Sequence, residues 1–542
     1  MPNSREAIFK ELTSAIEVGR FQSFLLHGVT GSGKTEVYIR CIQRVLEKGK
    51  TAIMMVPEIS LTPQTVARFR QRFGDRVAIL HSGLSQTERY LEWKKIRDGK
   101  VSIAVGARSA VFAPFKNLGM IVIDEEHDSS YKQDSNPRYH ARDTAVMRAQ
   151  SLNAIVLMGS ATPSLESVQN TRLGKYQYLS LENRIGERML PIVSMVDMRR
   201  ERKEFKNFAL LSGILRSAIR DRLSRKEQVF LFLNRRGTAR FVFCPDCGYV
   251  LECAHCSVTL TFHGKEDRLL CHYCNFTARM PGHCVECHGA VIRFSGFGTQ
   301  KLEEEVRKLF PDAQITRLDR DTTRGRDSFA TMHRNMNAGK IDILIGTQMI
   351  TKGHDFPNVT LVGVVHADLS LNIPDFRSCE RAFQLLTQVA GRAGRGEVPG
   401  KVIIQTNNPD HYMFEFVREH DVNGFHEKEL KLRRQLNYPP FTRLIAVEIV
   451  STNESLGKRT AEKLGRALAQ QTIRQKGVEI LGPSKAALYQ IQNKFRWHLI
   501  LRGQNMQTLQ GILADSQELN ELKSASNTKL KLSIDVDPFN LL

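Results

Sequence analysis

The sequence predicts an α/β protein: two lobes, each built on a parallel β-sheet, a cysteine-rich insertion in the second, and a small α+β domain at the C-terminal end. Three observations carry that reading. Short apolar runs alternate with helix-length amphipathic stretches in two separate series, the pattern of repeated βαβ units. Four Cys-x2-Cys pairs fall between residues 244 and 287. Beyond Pro439-Pro440 the alternation gives way to strand-like Leu444–Val450 and Trp497–Leu501 with a helical stretch between them.

The first series comprises Phe24–His27, Ala52–Val56, Val77–Leu80, Ile103–Val105, Met120–Ile123 and Ile155–Met158. Several of these runs end in a Gly-, Pro- or Asp-containing loop, so residues 1–183 read as the first lobe. Residues 184–240 read as a basic linker and the start of the second lobe. The second series is Val229–Leu233, Gln314–Leu318, Ile341–Ile345, Leu361–His366 and Lys401–Gln405. The cysteine block, residues 241–289, interrupts it, and residues 290–430 complete the lobe. Residues 431–542 form the α+β domain.

Composition narrows the function. The chain has 542 residues, 41% of them hydrophobic, which excludes disorder as the main description. No run of about 18 apolar residues occurs, so no membrane helix is expected. The first residues, MPNSREAIFKELTS, carry charges where a signal peptide needs an apolar core, and a cytoplasmic location with no membrane partner follows as the expectation. Against 57 Asp+Glu stand 78 Lys+Arg, a net charge of +21, which points to a polyanionic partner such as nucleic acid. The excess is uneven. Residues 184–240 hold 15 Lys/Arg and 6 Asp/Glu, whereas residues 421–542 hold 18 and 12. The basic stretch is either a phosphate-tracking surface or a solvated linker.

Gly28-Val29-Thr30-Gly31-Ser32-Gly33-Lys34-Thr35 follows an apolar run and opens a helical segment, the setting a phosphate-binding loop requires. Its backbone N–H groups would cradle the phosphates of ATP, Lys34 would reach the β/γ-phosphates, and the Thr35 hydroxyl would bind Mg²⁺. Asp124-Glu125-Glu126-His127 follows the run Met120–Ile123. Adjacent acids at the end of a parallel strand sit where ligands of this fold bind. Asp124 would hold Mg²⁺ and Glu125 would orient or deprotonate the attacking water. Read alone, the tetrad could also be an acidic helix start.

The cysteine pairs are Cys244/Cys247, Cys253/Cys256, Cys271/Cys274 and Cys284/Cys287. Thiols at this spacing in a reducing compartment mean metal rather than disulfides, and eight complete two tetrahedral Zn²⁺ sites. His255, His263, His272, His283 and His288 lie among them, but no position is left for a histidine ligand. All-thiolate sites are structural rather than hydrolytic. The short gap between the first two pairs disfavours sequential pairing, leaving cross-braced and nested arrangements. Cys41 and Cys379 stand apart and read as small buried hydrophobes.

Taken in order, Gly28–Thr35, the DEEH tetrad, Gly159-Ser160-Ala161-Thr162-Pro163 and Gln388-Val389-Ala390-Gly391-Arg392-Ala393-Gly394-Arg395 resemble motifs I, II, III and VI of superfamily 2 helicases. Pro57–Thr62, Gly106–Ala110, Phe232–Gly237 and Gly346–Asp355 fill the remaining motifs. With the four cysteine pairs after the FLNRRG segment, nearly the whole chain resembles the primosomal replication-restart DNA helicases.

That resemblance implies two RecA-like lobes and an ATP-dependent 3′→5′ DNA helicase or translocase acting at stalled or branched forks. It implies ATP and Mg²⁺ as consumed cofactors and two structural Zn²⁺. Forked and single-stranded DNA, single-stranded-DNA-binding protein and other primosome proteins are the implied partners. Arg392 and Arg395 resemble arginine fingers, Gln388 would help position water, and Ser160 and Thr162 resemble the element coupling nucleotide to DNA. Glu126 and His127 belong to the same nucleotide-side motif. The nested zinc pairing is implied: Cys244, Cys247, Cys284 and Cys287 on one ion, Cys253, Cys256, Cys271 and Cys274 on the other. The family also has an aromatic-rich loop that senses single-stranded DNA, here Ser130–Asp134 and Pro137–Arg142, unless its tyrosines pack on the lobe. Family members carry a further N-terminal DNA-binding region with a winged-helix module. This chain's phosphate loop already begins at Gly28, so recognition of a nascent-strand 3′ end is not expected of it.

Two rival readings share these residues. One is a zinc-containing scaffold for branched DNA with a vestigial ATPase, which DNA-stimulated ATP turnover would separate from a helicase. The other is an RNA helicase, against which the cysteine insertion argues.

Overall fold

The computed structural model describes residues 5–58, 63–187, 189–205, 209–234, 242–244, 246–256, 258–263, 268–289, 292–293, 298–318, 328–348, 356, 358–394, 399–473, 475–524 and 529–541. The chain divides after Leu190 into two units.

The first unit is a seven-stranded parallel sheet in the order Val77–Leu80, Ile103–Gly106, Thr51–Met55, Leu118–Asp124, Ile155–Ser160, Gln22–Gly28, Gln177–Leu181. Its inner strands are apolar on both faces, as a sheet covered by helices on either side demands. Phe24, Leu26 and Val122 belong to the core of one face, and Leu25, Ile121 and Ile123 to that of the other.

The second unit holds a six-stranded parallel sheet in the order Ile315–Leu318, Ile343–Gly346, Gln228–Leu233, Val359–Val365, Lys401–Thr406, Ile192–Asp197. Two edge strands, Gln177–Leu181 and Ile192–Asp197, escape the apolar-run pattern. Edge strands are covered less completely, and both mix polar residues into their sequence.

Between 192 and 233 lie the strand Ile192–Asp197, the helices Met198–Lys203 and Gly213–Ser224, and the strand Gln228–Leu233. Several of their cations are tied down locally. Arg199 pairs with Asp197 (2.8 Å) and Asp410 (3.3 Å), Arg222 with Glu227 (2.9 Å) and Arg225 with Asp221 (2.7 Å). Asp197, Glu227 and Asp221 lie within the stretch itself, so these pairs leave its basic excess intact.

The C-terminal region is a four-stranded antiparallel sheet ordered Glu479–Ile491, Lys494–Gly503, Arg443–Ser451, Leu530–Val536. Alternation along its strands gives two apolar faces. Ile445, Val447, Leu499 and Leu501 pack with Leu464, Leu468 and Leu509 of the adjoining helices. Leu444 and Ile500 point the other way, into a core shared with Cys253, Val258, Leu269 and Tyr273 of the cysteine block and with Phe376, Tyr438 and Leu541. The cysteine block is thus not a separate body but shares its core with the C-terminal sheet. The reason is amphipathic: a block of short strands and knuckles has too little core of its own, and the sheet's second face supplies it.

Candidate functional site

In the first unit, the strand Gln22–Gly28 delivers the chain into the loop Gly28–Gly33 and the helix Lys34–Glu47 leaves it. Gly31 (φ 85°) and Gly33 (φ 91°) adopt left-handed backbone conformations that turn successive N–H groups inward. Gly28 has no room for a side chain, since a Cβ would lie 2.6 Å from Ser32 Oγ. Lys34 Nζ donates to the carbonyls of Gly28 (2.6 Å) and Val29 (3.4 Å). Ser32 Oγ is buried with no protein partner. Val29 and Thr30 complete the loop, and Thr35 sits half-buried in the first helical turn. A concave run of amides, a lysine folded over it and an unsatisfied buried hydroxyl together fit a nucleotide's phosphates.

The strand Leu118–Asp124 places Asp124 at its end. Tyr38 Oη donates to Asp124 Oδ1 (3.1 Å) and Tyr131 Oη to the Asp124 carbonyl (2.7 Å). Burial, then the Glu125 carboxylate, push the Asp124 carboxyl up to about 6, while Lys34 and Tyr38 pull it down. Glu125 takes a left-handed conformation (φ 47°), a local strain of about 1–2 kcal/mol for a residue with a side chain. His127 Nδ1 lies 3.7 Å from Glu125 Oε2 and 2.7 Å from Ser160 Oγ. Ser160 Oγ in turn accepts from Thr162 N (2.9 Å). The DEEH and GSATP segments are therefore joined side chain to side chain.

Glu126 makes the second join. It is fully buried, and it accepts from Arg142 Nη1 (3.0 Å), Ser164 N (2.7 Å), Ser164 Oγ (3.1 Å) and Ser167 Oγ (2.8 Å). Its carboxylate faces these protein donors. His27 makes a third join: Nδ1 meets Tyr178 Oη (2.7 Å) and Nε2 meets the Ala161 carbonyl (3.2 Å). Burial, with the Lys34 charge second, lowers its pKa to about 4. His27 and Tyr38 were not singled out from sequence, and Arg142 was read as part of the DNA-sensing loop rather than as the partner of Glu126. Tyr38 stands four residues after Lys34, on the same helical face, which is the signal that could have found it. The partners of His27 and Arg142 are remote in sequence and leave no local trace.

The aromatic loop departs from expectation at Tyr131. Its ring is fully buried in the lobe core and its hydroxyl is spent on Asp124, so it is unavailable to stack on a base. Tyr139 is half-buried, edge-on to the exposed Phe112 (5.0 Å). Arg108 holds the loop's base through the carbonyls of Ser130 (3.2 Å) and Lys132 (2.6 Å).

In the second unit, Gln388 is buried near the end of the helix Ser378–Ala390, and Arg392 is half-buried in the turn that follows. Gly394 closes that turn (φ 66°); a Cβ there would meet Gly400 N at 2.2 Å. Arg395 lies outside the described residues, as do 59–62, 235–237 and 349–355 of the other motifs.

The eight block cysteines gather as two sets, Cys244/Cys247/Cys284/Cys287 and Cys253/Cys256/Cys271/Cys274, with sulfurs within 4.8 Å in each. This is the nested arrangement. Sγ–Sγ separations of 3.5 Å (Cys244–Cys287), 3.6 Å (Cys247–Cys284) and 3.7 Å (Cys253–Cys274) approach the edge, about 3.8 Å, of a tetrahedron of Zn–S bonds. Three knuckles turn through a left-handed residue directly after their second cysteine: Gly248 (φ 78°), Asn275 (φ 65°) and His288 (φ 57°). His272 is no ligand. Its Nδ1 meets the Lys485 carbonyl (2.8 Å), and its own carbonyl accepts from Ser484 Oγ (2.7 Å). Tyr438 Oη donates to the Cys256 carbonyl (3.0 Å), and Phe376 N to Tyr273 Oη (3.2 Å).

Comparison with known proteins agrees with these parts. The DEAD/DEAH box helicase family matches residues 7–171, the PriA DNA helicase Cys-rich region 253–279, the helicase conserved C-terminal domain 280–397, and the primosomal protein N C-terminal domain 434–539. The replication restart protein PriA of Bacillus subtilis (strain 168) is 46% identical over all of this chain and 67% of its own length. That of Synechocystis is 44% identical over 96% of this chain and 63% of its own length. That of Rickettsia felis is 40% identical over 95% and 78%. The chain thus spans roughly two thirds of the first two relatives.

Proposed function

Because the chain belongs to the family of the replication restart protein PriA, we propose that it is an ATP-dependent 3′→5′ DNA helicase or translocase. It remodels stalled or branched forks and starts primosome assembly. The observation that carries this is the tied set Gly28–Thr35, Asp124–His127 and Ser160–Thr162 at the carboxyl ends of one parallel sheet. ATP is taken by the loop amides and Lys34. Thr35 and Asp124 would hold Mg²⁺, which supplies neutralisation of phosphate charge. Glu125 orients or deprotonates water. Gln388 helps to position it, and Arg392 and Arg395 offer positive charge to the γ-phosphoryl group. The His127–Ser160 contact passes the state of the phosphates to the GSATP segment.

Forked and single-stranded DNA, single-stranded-DNA-binding protein and primosome proteins are the partners this reading proposes. No helix among the described residues is long and apolar enough to cross a membrane. ATPase activity with and without forked DNA tests the reading, with unwinding compared on 3′- and 5′-tailed duplexes. Turnover indifferent to DNA would overturn it, and equal stimulation by RNA would overturn the substrate class.

A further inference from the structure

We infer that the outer edge of the first unit carries a second stretch of nucleic-acid track, a stacking platform on the helix Gln86–Arg97. This rests on the nucleic-acid reading above but concerns a surface that reading does not use. The helix flanks Val77–Leu80, the edge strand of the sheet, five strand positions from Gln22–Gly28, about 24 Å at the usual spacing.

Only Ile96 of this helix is buried. Outward it presents Tyr90 (55% exposed), Leu91 and Trp93 (37% exposed). The Tyr90 and Trp93 rings lie near-parallel, 6.4 Å apart, and Arg97 sits 5.1 Å over Trp93. Exposed apolar rings on a helix need a reason, because the same area could be polar at no loss.

The charge around them identifies the occupant. The acids here are already engaged: Glu88 accepts from Ser85 N (2.8 Å), Glu92 pairs with Lys95 (2.6 Å), and Asp98 with Arg97 (3.0 Å). Arg89 and Lys94 on the same helix are exposed and make no ion pair among the described residues. Aromatic faces interleaved with uncompensated cations complement a single-stranded polyanion with flat bases. The helix begins at Ser85, after the carboxyl end of the edge strand, so the track would prolong the loop face on which the helicase motifs lie.

The chain's two tryptophans make this testable, because Trp497 is buried (4% exposed). Wild type, Trp93→Phe and Tyr90→Ser are titrated with oligothymidylate, following tryptophan emission and ATP turnover. The expected result is quenching in wild type that is lost in Trp93→Phe. Tyr90→Ser should raise the half-saturating oligothymidylate concentration about tenfold, with DNA-independent turnover unchanged. Quenching that persists in Trp93→Phe, or variants that bind oligothymidylate as wild type does, would overturn the platform while leaving the proposed function standing. A wild type neither bound nor stimulated by DNA would sink both. Quenching by polyglutamate in place of oligothymidylate would make the patch a peptide surface and overturn the inference.

Discussion

The nucleotide loops of the first unit and the cysteine knuckles of the second are both tight turns through left-handed residues, yet they are held by opposite means. Gly28–Thr35 and Asp124–His127 are held from outside: by a parallel sheet and by side chains such as Tyr38, His27 and Arg142. The knuckles bring their own cross-link. Their four-sulfur sets form within residues 244–287, and left-handed Gly248, Asn275 and His288 set the turns. Local cross-linking does not make the block independent, however. Its core runs on into the C-terminal sheet. The first site is fixed by tertiary hydrogen bonds around it, and the second exports its stability to its neighbours.

The largest test of that contrast is metal loss. A structural zinc contributes on the order of 10 kcal/mol to local folding. Cys253→Ser should lose one of two zincs by atomic absorption and expose residues 434–541 to protease, because Cys253 shares a core with Leu444 and Ile500. Cys287→Ser, at an exposed ligand of the other set, should lose the other zinc and leave that domain resistant. Duplex opening should fall further than ATP hydrolysis in Cys253→Ser. Equal protease resistance in the two variants would break the picture of exported stability.

Next comes the buried join in the first unit. Arg142→Ala leaves Glu126 charged and fully buried beside two serines, a loss of about 3–5 kcal/mol. Denaturant midpoints should drop for the first unit while zinc content stays at two. Lys34→Ala gives the inverse signature: a stability loss smaller than that of Arg142→Ala, since its bonds to Gly28 and Val29 stay within its own loop, and turnover down at least about 10²-fold. Near-normal turnover in Lys34→Ala would refute the phosphate role.

How much of this was legible in the sequence follows the same division. Motifs that carry their own spacing were readable: Gly28–Thr35, the acids after Met120–Ile123, the eight cysteines. Features set by remote partners were not. That Arg142 pairs with Glu126 is not visible until the fold brings helix and strand end together. Tyr131 was misread because interleaved aromatic and basic residues look alike whether the ring faces DNA or the core. Which cations of 184–240 have acids beside them, as Arg199, Arg222 and Arg225 do, is likewise set by the fold and cannot be read from net charge. The nested zinc pairing came from family resemblance, whereas spacing alone left two arrangements open.

The smallest expected effect belongs to His27. Its pKa falls from the ordinary histidine value of 6.5 to about 4 on folding, through burial and then Lys34. The folded state therefore binds fewer protons than the unfolded state between those values, and stability must rise with pH across that window. Above about pH 7 the contribution is nil. Between pH 7.5 and 5.5 the first unit should lose about 1.3 kcal/mol through this residue. Trp93 lies in the first unit and Trp497 in the second, so Trp93 emission in a Trp497→Phe background isolates the relevant transition. His140, whose pKa is likewise lowered by burial to about 4, adds in the same direction. Subtracting a His27→Asn variant separates the two. Asn keeps a polar group toward Tyr178 and Ala161 without a titrating ring, so the variant's midpoint should fall less steeply between pH 7.5 and 5.5. An unchanged slope would mean that His27 titrates normally in the folded chain, and that the join from His27 to Ala161 opens to water rather than staying dry.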